Sequence, residues 1–175
     1  MQASYVVNNL EESAASWTKL TGAGPWFISE AKTKNTVYRG QPASFTFRIA
    51  LAFLGATQLE LVQLTDDGPS VFKETLDKSG PGFNHVCPQM SGLSGAAFDE
   101  RCREMERRGM EQAMITEVVG SGRFAYYDAL DTIGCFVEIY ESGKGYAMVP
   151  YLADLHLGWD GKDPIRKIES LMGKF

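Results

Sequence analysis

The chain has 175 residues, a length that suits one domain or two closely packed half-domains. Hydrophobic residues make up 44% of it, enough for a core, while the net charge of −5 argues against a nucleic-acid partner, which needs a basic face. No apolar run reaches the roughly 18 residues of a membrane span, and we see no signal peptide before the first strand. The three cysteines form no CxxC pair, so we expect reduced thiols in a cytoplasmic protein.

The first part of the chain predicts a strand, a helix and further strands. Residues 2–7 alternate as in a strand, and residues 10–21 have apolar side chains at helical spacing, with Asn9 as N-cap and Gly22 at the end. The segments GPWFISEA and NTVYRG predict one strand, or a strand broken by a loop. Residues 44–54 alternate most clearly, and we expect their phenylalanine-rich face to pack against a helix. Strand 57–64 follows after a turn.

The same order of elements returns in the second part of the chain. A strand at 83–89, a helix at 94–108 and three more strand candidates repeat the β-α-β-β-β pattern, so the chain contains an internal repeat. Pro69 suits the first turn of a short helix between the repeats. We divide the chain into a first module (1–65), a linker helix (66–81), a second module (82–142) and a C-terminal extension (143–175).

The C-terminal extension lies outside the repeat and also predicts a helix. Asp163 and Pro164 suit a helix start, and the residues after them place apolar side chains on one helical face. The members of that apolar stripe are Ile165, Ile168, Leu171 and Met172. We expect this helix to pack on the domain or on a second subunit.

Four polar side chains occupy equivalent strands of the two modules. Gln2 corresponds to His85, and Glu60 corresponds to Glu138. Taken singly, a strand glutamate most often faces solvent and a strand histidine most often has a structural hydrogen bond. Together, an amide oxygen, an imidazole and two carboxylates are a plausible ligand set for one divalent cation. The only other histidine, His156, lies in the C-terminal extension, so a three-histidine zinc site is excluded.

Four stretches of sequence resemble a known superfamily. They are QASYVVNNLEESAASW, the GPWF after the first helix, TQLELVQLTDDGPSVFKETLDKSGPGFNHV and GRFAYYDALDTIGCFVEIYE. The chain resembles the vicinal oxygen chelate superfamily, which includes glyoxalase I, methylmalonyl-CoA epimerase, extradiol dioxygenases and bleomycin-resistance proteins. This resemblance implies an α+β fold in which paired βαβββ modules form a cupped mixed sheet around a metal site, with helices outside, in addition to the C-terminal helix.

The resemblance also implies the metal ligands, which come from the first and fourth strands of each module. Those positions hold Gln2, Glu60, His85 and Glu138, a set similar to that of the zinc-type glyoxalase I. One divalent ion is expected, zinc first, with nickel, cobalt, manganese and magnesium as alternatives. The implied function is that of a metal-dependent isomerase, epimerase or lyase. It would remove a proton next to a metal-polarised carbonyl of a small organic or thioester substrate.

Particular residues take roles in that expected reaction. Glu138 would be the general base, and Glu60 would act opposite it, because residues 31–59 contain no Asp or Glu that could serve as a second base. Arg48 would bind a substrate anion if the polar face of strand 44–54 lines the cup. Phe136 and Tyr140, which flank Glu138, are substrate-binding candidates, with core packing as the alternative.

Two other functions stay open from the sequence. One is an extradiol-type ring-cleaving dioxygenase. Gln2 counts against it, because the resemblance implies that those enzymes generally have a histidine at this position. The other is a non-catalytic small-molecule binding protein of the bleomycin-resistance type. The expected partner is a small molecule rather than a nucleic acid or a membrane, and a homodimer is left open.

Overall fold

Both halves of the chain have the expected β-α-β-β-β order in this computed structural model, which describes residues 1–142 and 148–171. The first half contains β1 (Gln2–Val6), α1 (Leu10–Thr21), β2 (Trp26–Tyr38), a short β3 (Gln41–Ala43), β4 (Thr46–Leu54) and β5 (Thr57–Leu64). After α2 (Val71–Ser79), the second half contains β6 (Gly82–Cys87), α3 (Gly95–Arg107), β7 (Gln112–Val118), β8 (Gly122–Ala129), α4 (Leu130–Ile133) and β9 (Cys135–Tyr140). The extension contains α5 (Met148–Leu157), β10 (Ile165–Lys167) and a 3-10 helix (Ile168–Leu171).

The strands of both halves close into one ring. Their order is β2-β4-β5-β1-β6-β9-β8-β7, and β7 pairs again with β2. Strand β1 runs parallel to β5 and antiparallel to β6, so the sheet is mixed. Because side chains alternate between the two faces of a closed sheet, inward-facing residues from both halves meet in one interior. This confirms the predicted cupped mixed sheet, with α1 and α3 packed on its outer face.

Helix α1 shows why the first helix could be read from the sequence. The Asn9 side chain accepts a hydrogen bond from the Glu12 backbone N–H at 3.0 Å, and Gly22 ends the helix with a φ of 78°. The helix packs on the outer face of β4 and β5, where Ala50 and Ala52 are fully or almost fully buried. Both caps and the apolar stripe therefore predict the same boundaries.

The phenylalanine-rich face of β4 packs on a helix, α2, as expected, but the polar face of β4 does not line the cup. The small side chains of Ala50 and Ala52 allow α1 to pack closely on their face, and Arg48 shares that outer face. The opposite face, with its large apolar side chains, fills the interior instead. There Phe45 and Phe47 pack on Phe72 of α2, with ring centroids 5.8 and 6.0 Å apart.

The helix predicted to begin at Asp163 is also wrong. Residues Ile165–Lys167 form β10, which pairs in parallel with the edge of β2, and only a 3-10 turn follows. Strand β7 pairs only with the second half of β2, so the start of β2 offers backbone hydrogen bonds that local helical propensity does not outweigh. The extension does contain a helix, α5, which lies earlier in the chain, and Met172 lies outside the described residues. No helix in the described ranges is long and apolar enough to cross a bilayer.

Candidate functional site

The four predicted ligand residues come from adjacent strands in the middle of the ring. Ser4 of β1 lies directly opposite Glu60 of β5 on one side and His85 of β6 on the other. The His85 Nε2 atom lies 3.4 Å from a carboxylate oxygen of Glu60 and 3.4 Å from one of Glu138. Gln2, Glu60 and Glu138 line the same cavity. The structure therefore brings together side chains that are far apart in sequence.

A β-bulge in β6 orients the His85 ring. Ser4 pairs with His85 and Tyr5 pairs with Phe83, so Asn84 is the extra residue between them. Adjacent strand residues normally face opposite sides of a sheet, but here Asn84 and His85 are both buried. His85 Nδ1 lies 2.8 Å from Asn84 Oδ1. A bulge here lets a neighbour of the histidine support it from the side.

The hydrogen bonds of Asn84 fix the tautomer of His85. The Asn84 amide nitrogen donates to the Val71 carbonyl at 3.1 Å and to the Thr75 hydroxyl at 2.8 Å, so its oxygen must face the imidazole. His85 Nδ1–H then donates to that oxygen, and Nε2 carries the lone pair. The ring is fully buried, and its lone pair lies between two carboxylates, a position that calls for a cation.

The unsatisfied polar atoms of the described residues point to the same place. Only two buried side-chain nitrogens there lack a hydrogen-bond partner, His85 Nε2 and Gln58 Nε2. The Gln58 side chain is nearly fully buried, and its oxygen accepts a hydrogen bond from Gln2 Nε2 at 3.0 Å. This bond uses the Gln2 nitrogen and leaves the Gln2 oxygen as a free acceptor. Orphaned buried groups are costly in a folded protein and commonly mark a missing ion or ligand.

The spacing of the donors fits a divalent cation, although the cluster is open as it stands. No group of three or more His, Cys, Asp and Glu side chains in the described ranges is gathered tightly enough to hold an ion. However, two ligand atoms bound to one tetrahedral zinc lie roughly 3.4 Å apart, which is the separation of His85 Nε2 from each glutamate. The buried His85 Nε2 atom has no hydrogen bond, and an ion at this position would give it a partner.

The ionisable groups of the site shift one another's pKa values. Burial raises the pKa of Glu60 to about 7, the nearby His85 opposes that rise, and Glu138 adds to it. For His85, burial lowers the pKa, but attraction to Glu138 and Glu60 outweighs it, so the pKa is raised. The Tyr126 hydroxyl donates to Glu138 Oε1 at 2.8 Å, and burial raises the pKa of Tyr126 well above its usual value. Tyr126 therefore remains a protonated donor to Glu138.

The cavity next to these residues is about 660 Å³ in volume, counted with its open mouth. Its polar lining comes from Gln2, Gln58, Glu60 and Glu138, with Ser121, Tyr140 and Glu141 as further members. The apolar lining comes from Ile49, Leu51, Met90, Phe124, Met148 and Val149. Small-molecule sites usually consist of a few polar groups set in an apolar cavity, as this one does.

Most of the sequence matches a known protein family. Residues 1–127 match the Glyoxalase/Bleomycin resistance protein/Dioxygenase superfamily. The chain belongs to this superfamily. No curated protein sequence matches it.

Solved structures support the same fold. Methylmalonyl-CoA epimerase from Mycobacterium tuberculosis aligns with a TM-score of 0.55 and 19% identity, covering 85% of this chain and 90% of the epimerase. A hypothetical protein from Bacillus halodurans C-125 aligns with a TM-score of 0.55 and 14% identity, covering 82% and 93%. A Streptomyces coelicolor methylmalonyl-CoA epimerase variant in complex with 2-nitronate-propionyl-CoA aligns at 0.47 and 16%, covering 81% and 94%. The first two alignments establish the vicinal oxygen chelate fold, as the sequence resemblance implied.

Two of the three predicted substrate-binding residues lie away from the cavity. Arg48 is on the outer face of the sheet, where its Nη2 pairs with Glu11 of α1 at 2.5 Å. The expectation that it lines the cup is wrong, because the cup is lined by the other face of β4. Phe136 is fully buried in the inner core and is absent from the cavity lining, as the packing alternative stated. Tyr140 does line the cavity, and its hydroxyl donates to the Met90 carbonyl at 2.6 Å.

Sequence reasoning missed four residues of the site. Gln58 and Cys87 stand two residues from Glu60 and His85 and share their strand faces, so the period of two could have found them. Cys87 is buried, and its thiol donates to the Gln89 carbonyl at 3.5 Å. The position of Asn84 in the site depends on a β-bulge, and that of Tyr126 depends on the pairing of β8 with β9. Neither feature leaves a signal in the sequence.

Proposed function

We propose that the protein is a divalent-metal-dependent isomerase, epimerase or lyase of the glyoxalase type. Its reaction would remove a proton next to a carbonyl of a small substrate. The observation that carries this proposal is the His85 Nε2 lone pair, fully buried and 3.4 Å from each of two carboxylates, with no hydrogen bond of its own. A cation resolves that arrangement, and the adjoining cavity provides room for a substrate.

The metal would be held by the four side chains at the bottom of the cavity. His85 offers a nitrogen whose tautomer is set by Asn84, while Glu60 and Glu138 offer carboxylates and Gln2 offers an amide oxygen. Zinc suits this mixed nitrogen and oxygen set, and nickel, cobalt, manganese and magnesium are alternatives. When bound, such an ion acts as a Lewis acid that polarises a substrate carbonyl and acidifies the adjacent C–H bond.

The proton transfer would be carried by Glu138 and Glu60. Tyr126 donates to one oxygen of Glu138 and holds that carboxylate in place, so the other oxygen is oriented toward the centre of the site. On β4 the cavity is lined by Ile49 and Leu51, which cannot transfer protons. Glu60 is therefore the carboxylate that can act on the opposite side of the substrate, as an isomerase or epimerase requires.

Metal content separates this proposal from its two alternatives. We expect protein purified without added salts to contain close to one equivalent of a divalent ion, or to take one up tightly. Substoichiometric metal with no tight uptake would favour a binding protein of the bleomycin-resistance type. Iron together with oxygen uptake in the presence of catechols would favour an extradiol dioxygenase.

Replacing the general base tests the mechanism directly. For Glu138→Gln we expect solvent-deuterium exchange at the carbon next to the carbonyl to fall by about 10² to 10⁴, because a positioned base contributes that much. The matched control is Glu106→Gln, the same change on the exposed face of α3. Metal content is measured for both variants, and unchanged exchange in Glu138→Gln with metal bound removes Glu138 from the role.

The cellular setting follows from the cysteines. We infer a cytoplasmic protein because Cys87, Cys102 and Cys135 are all free and buried, as expected in a reducing compartment. A homodimer remains a prediction from the resemblance, and sedimentation or light scattering would test it.

A further inference from the structure

Among the described residues, the cavity lining offers no positive charge to an anionic substrate. The lining contains three carboxylates, Glu60, Glu138 and Glu141, and no lysine or arginine from the described ranges of the chain. A divalent ion would neutralise Glu60 and Glu138. The remaining carboxylate, Glu141, is already paired, since Arg123 Nε lies 2.7 Å from its Oε2. With an ion bound and Glu141 paired with Arg123, the charges of the described lining residues nearly cancel.

The two arginines on cavity-forming strands are both engaged elsewhere. Arg48 of β4 pairs with Glu11 on the outer face of the sheet. Arg123 of β8 pairs with Glu141 and also with Asp99 of α3, at 2.7 Å in each case. Freeing either arginine for a substrate would leave a carboxylate without its partner. Among the described residues, neither side chain is therefore available to bind a phosphate or a substrate carboxylate.

The rest of the cavity is a hydrocarbon surface. It is built by six apolar side chains from β4, β8, α5 and the segment after β6. They are Ile49, Leu51, Met90, Phe124, Met148 and Val149. Burying an unpaired anion against such a surface is costly, whereas burying a hydrocarbon chain is favourable in proportion to its area. Two of the six come from α5, so the C-terminal extension contributes directly to this surface.

We infer that the substrate is a neutral molecule, with a carbonyl or adjacent oxygens at one end and a hydrocarbon body at the other. This inference rests on the proposed function, because the polar end is expected to meet the four ligand residues. The same charge balance disfavours a substrate whose anionic group lies inside the cavity, because no lysine or arginine of the described residues lines it.

A matched set of ligands tests the inference by binding alone. Two medium-chain α-hydroxyketones that differ only at the far end, a methyl ester in one and a free carboxylate in the other, are titrated calorimetrically into the zinc-loaded protein. A CoA thioester of the same chain is the third ligand. We expect the ester to bind roughly tenfold or more tightly than either anion. Equal or tighter binding of an anion, or no binding by any of the three, overturns the inference.

A pair of variants on α5 tests where the far end of the ligand lies. Val149→Lys and Val149→Met add side chains of similar length to a half-buried position that lines the cavity, and they differ in charge. We expect the lysine variant to bind the carboxylate roughly tenfold more tightly than the methionine variant does, with little change for the ester. If the two variants show the same preference, the cavity wall does not contact the far end and the inference fails.

Deuterium exchange in the same samples separates the two proposals. Tight, ester-selective binding with no exchange at the carbon next to the carbonyl contradicts the proposed function and leaves the neutral-ligand inference in place. Exchange that proceeds equally well with the ester and the anions supports the function and overturns the inference.

Discussion

The two halves of the ring place a glutamate at equivalent points but surround it differently. On β5, the last strand of the first half, Glu60 lies opposite Leu51 of β4. On the fourth strand of the second half, Glu138 lies opposite Tyr126 of β8, which donates a hydrogen bond to it. The repeated backbone thus supplies two carboxylates, and one neighbouring residue in each half makes them unequal.

The difference has a chemical consequence for the two carboxylates. A hydrogen bond from a protonated tyrosine stabilises a charged carboxylate and restricts its rotation, whereas a leucine does neither. In accordance with this, burial is the main cause of the raised pKa of Glu60. A site built from a repeat can therefore contain one carboxylate that a tyrosine hydrogen bond holds in place and one that lacks this bond.

The largest expected effect comes from removing the first-half carboxylate. For Glu60→Gln we expect inversion of configuration at the reacting carbon to fall by about 10² to 10⁴, because one of the two bases is lost. Deuterium incorporation without inversion should persist, since Glu138 still acts on its own side. Proton NMR with a chiral substrate in heavy water measures both quantities.

The outcome that contradicts unequal roles is equally clear. If Glu60→Gln loses exchange and inversion to the same degree while its metal content matches that of the unmodified protein, the two carboxylates act as a single unit. Metal analysis of the same sample is the control, because loss of the ion would remove both activities for a different reason.

A smaller effect is expected from making the two halves more alike. Tyr126→Phe removes the hydrogen bond to Glu138, and we expect about a tenfold loss of exchange together with roughly 1.5–3 kcal/mol of stability. The control is Tyr127→Phe on the neighbouring position. The Tyr127 hydroxyl donates to the Cys102 carbonyl at 3.4 Å, outside the site, so this variant should lose stability but keep its exchange rate. Equal activity losses in both variants would show that the Tyr126 effect is general to the core.

How much of this asymmetry the sequence could predict depends on the range of the forces involved. Local signals predict α1 and β5 to the residue, because caps, turns and periodicity act within a few positions. The pairing of Tyr126 with Glu138 and the bulge at Asn84 depend on strand register, which is set by packing across the ring. The sequence predicts helix α5 only weakly, because Pro150 in its first turn is compatible both with the start of a helix and with a helix break.

The smallest expected effect concerns a charge network that ties the two halves together. Arg39, at the turn after β2, pairs with Glu74 of α2 at 3.0 Å and with Asp128 of β8 at 2.5 Å. Burial raises the pKa of Glu74, but hydrogen bonds that include one from Arg39 outweigh it and hold the pKa below its usual value. For Asp128, burial likewise raises the pKa, and bonds from the Leu130 N–H and Arg39 lower it overall. Both carboxylates are therefore charged in the folded protein well into the acid range.

The sign of the pH dependence follows from those lowered pKa values. A carboxylate with a lower pKa in the folded state stabilises the fold above its unfolded pKa, and that stabilisation is lost as the pH falls below about 4. For Arg39→Met we expect a loss of about 1–2 kcal/mol at neutral pH, since the network is only partly buried. The variant should also lose less stability than the unmodified protein when the pH is lowered. Urea unfolding at neutral and acidic pH measures both. Parallel decline of the two proteins in acid would show that Arg39 does not set the charge of Glu74 and Asp128, and that strand pairing alone joins the halves.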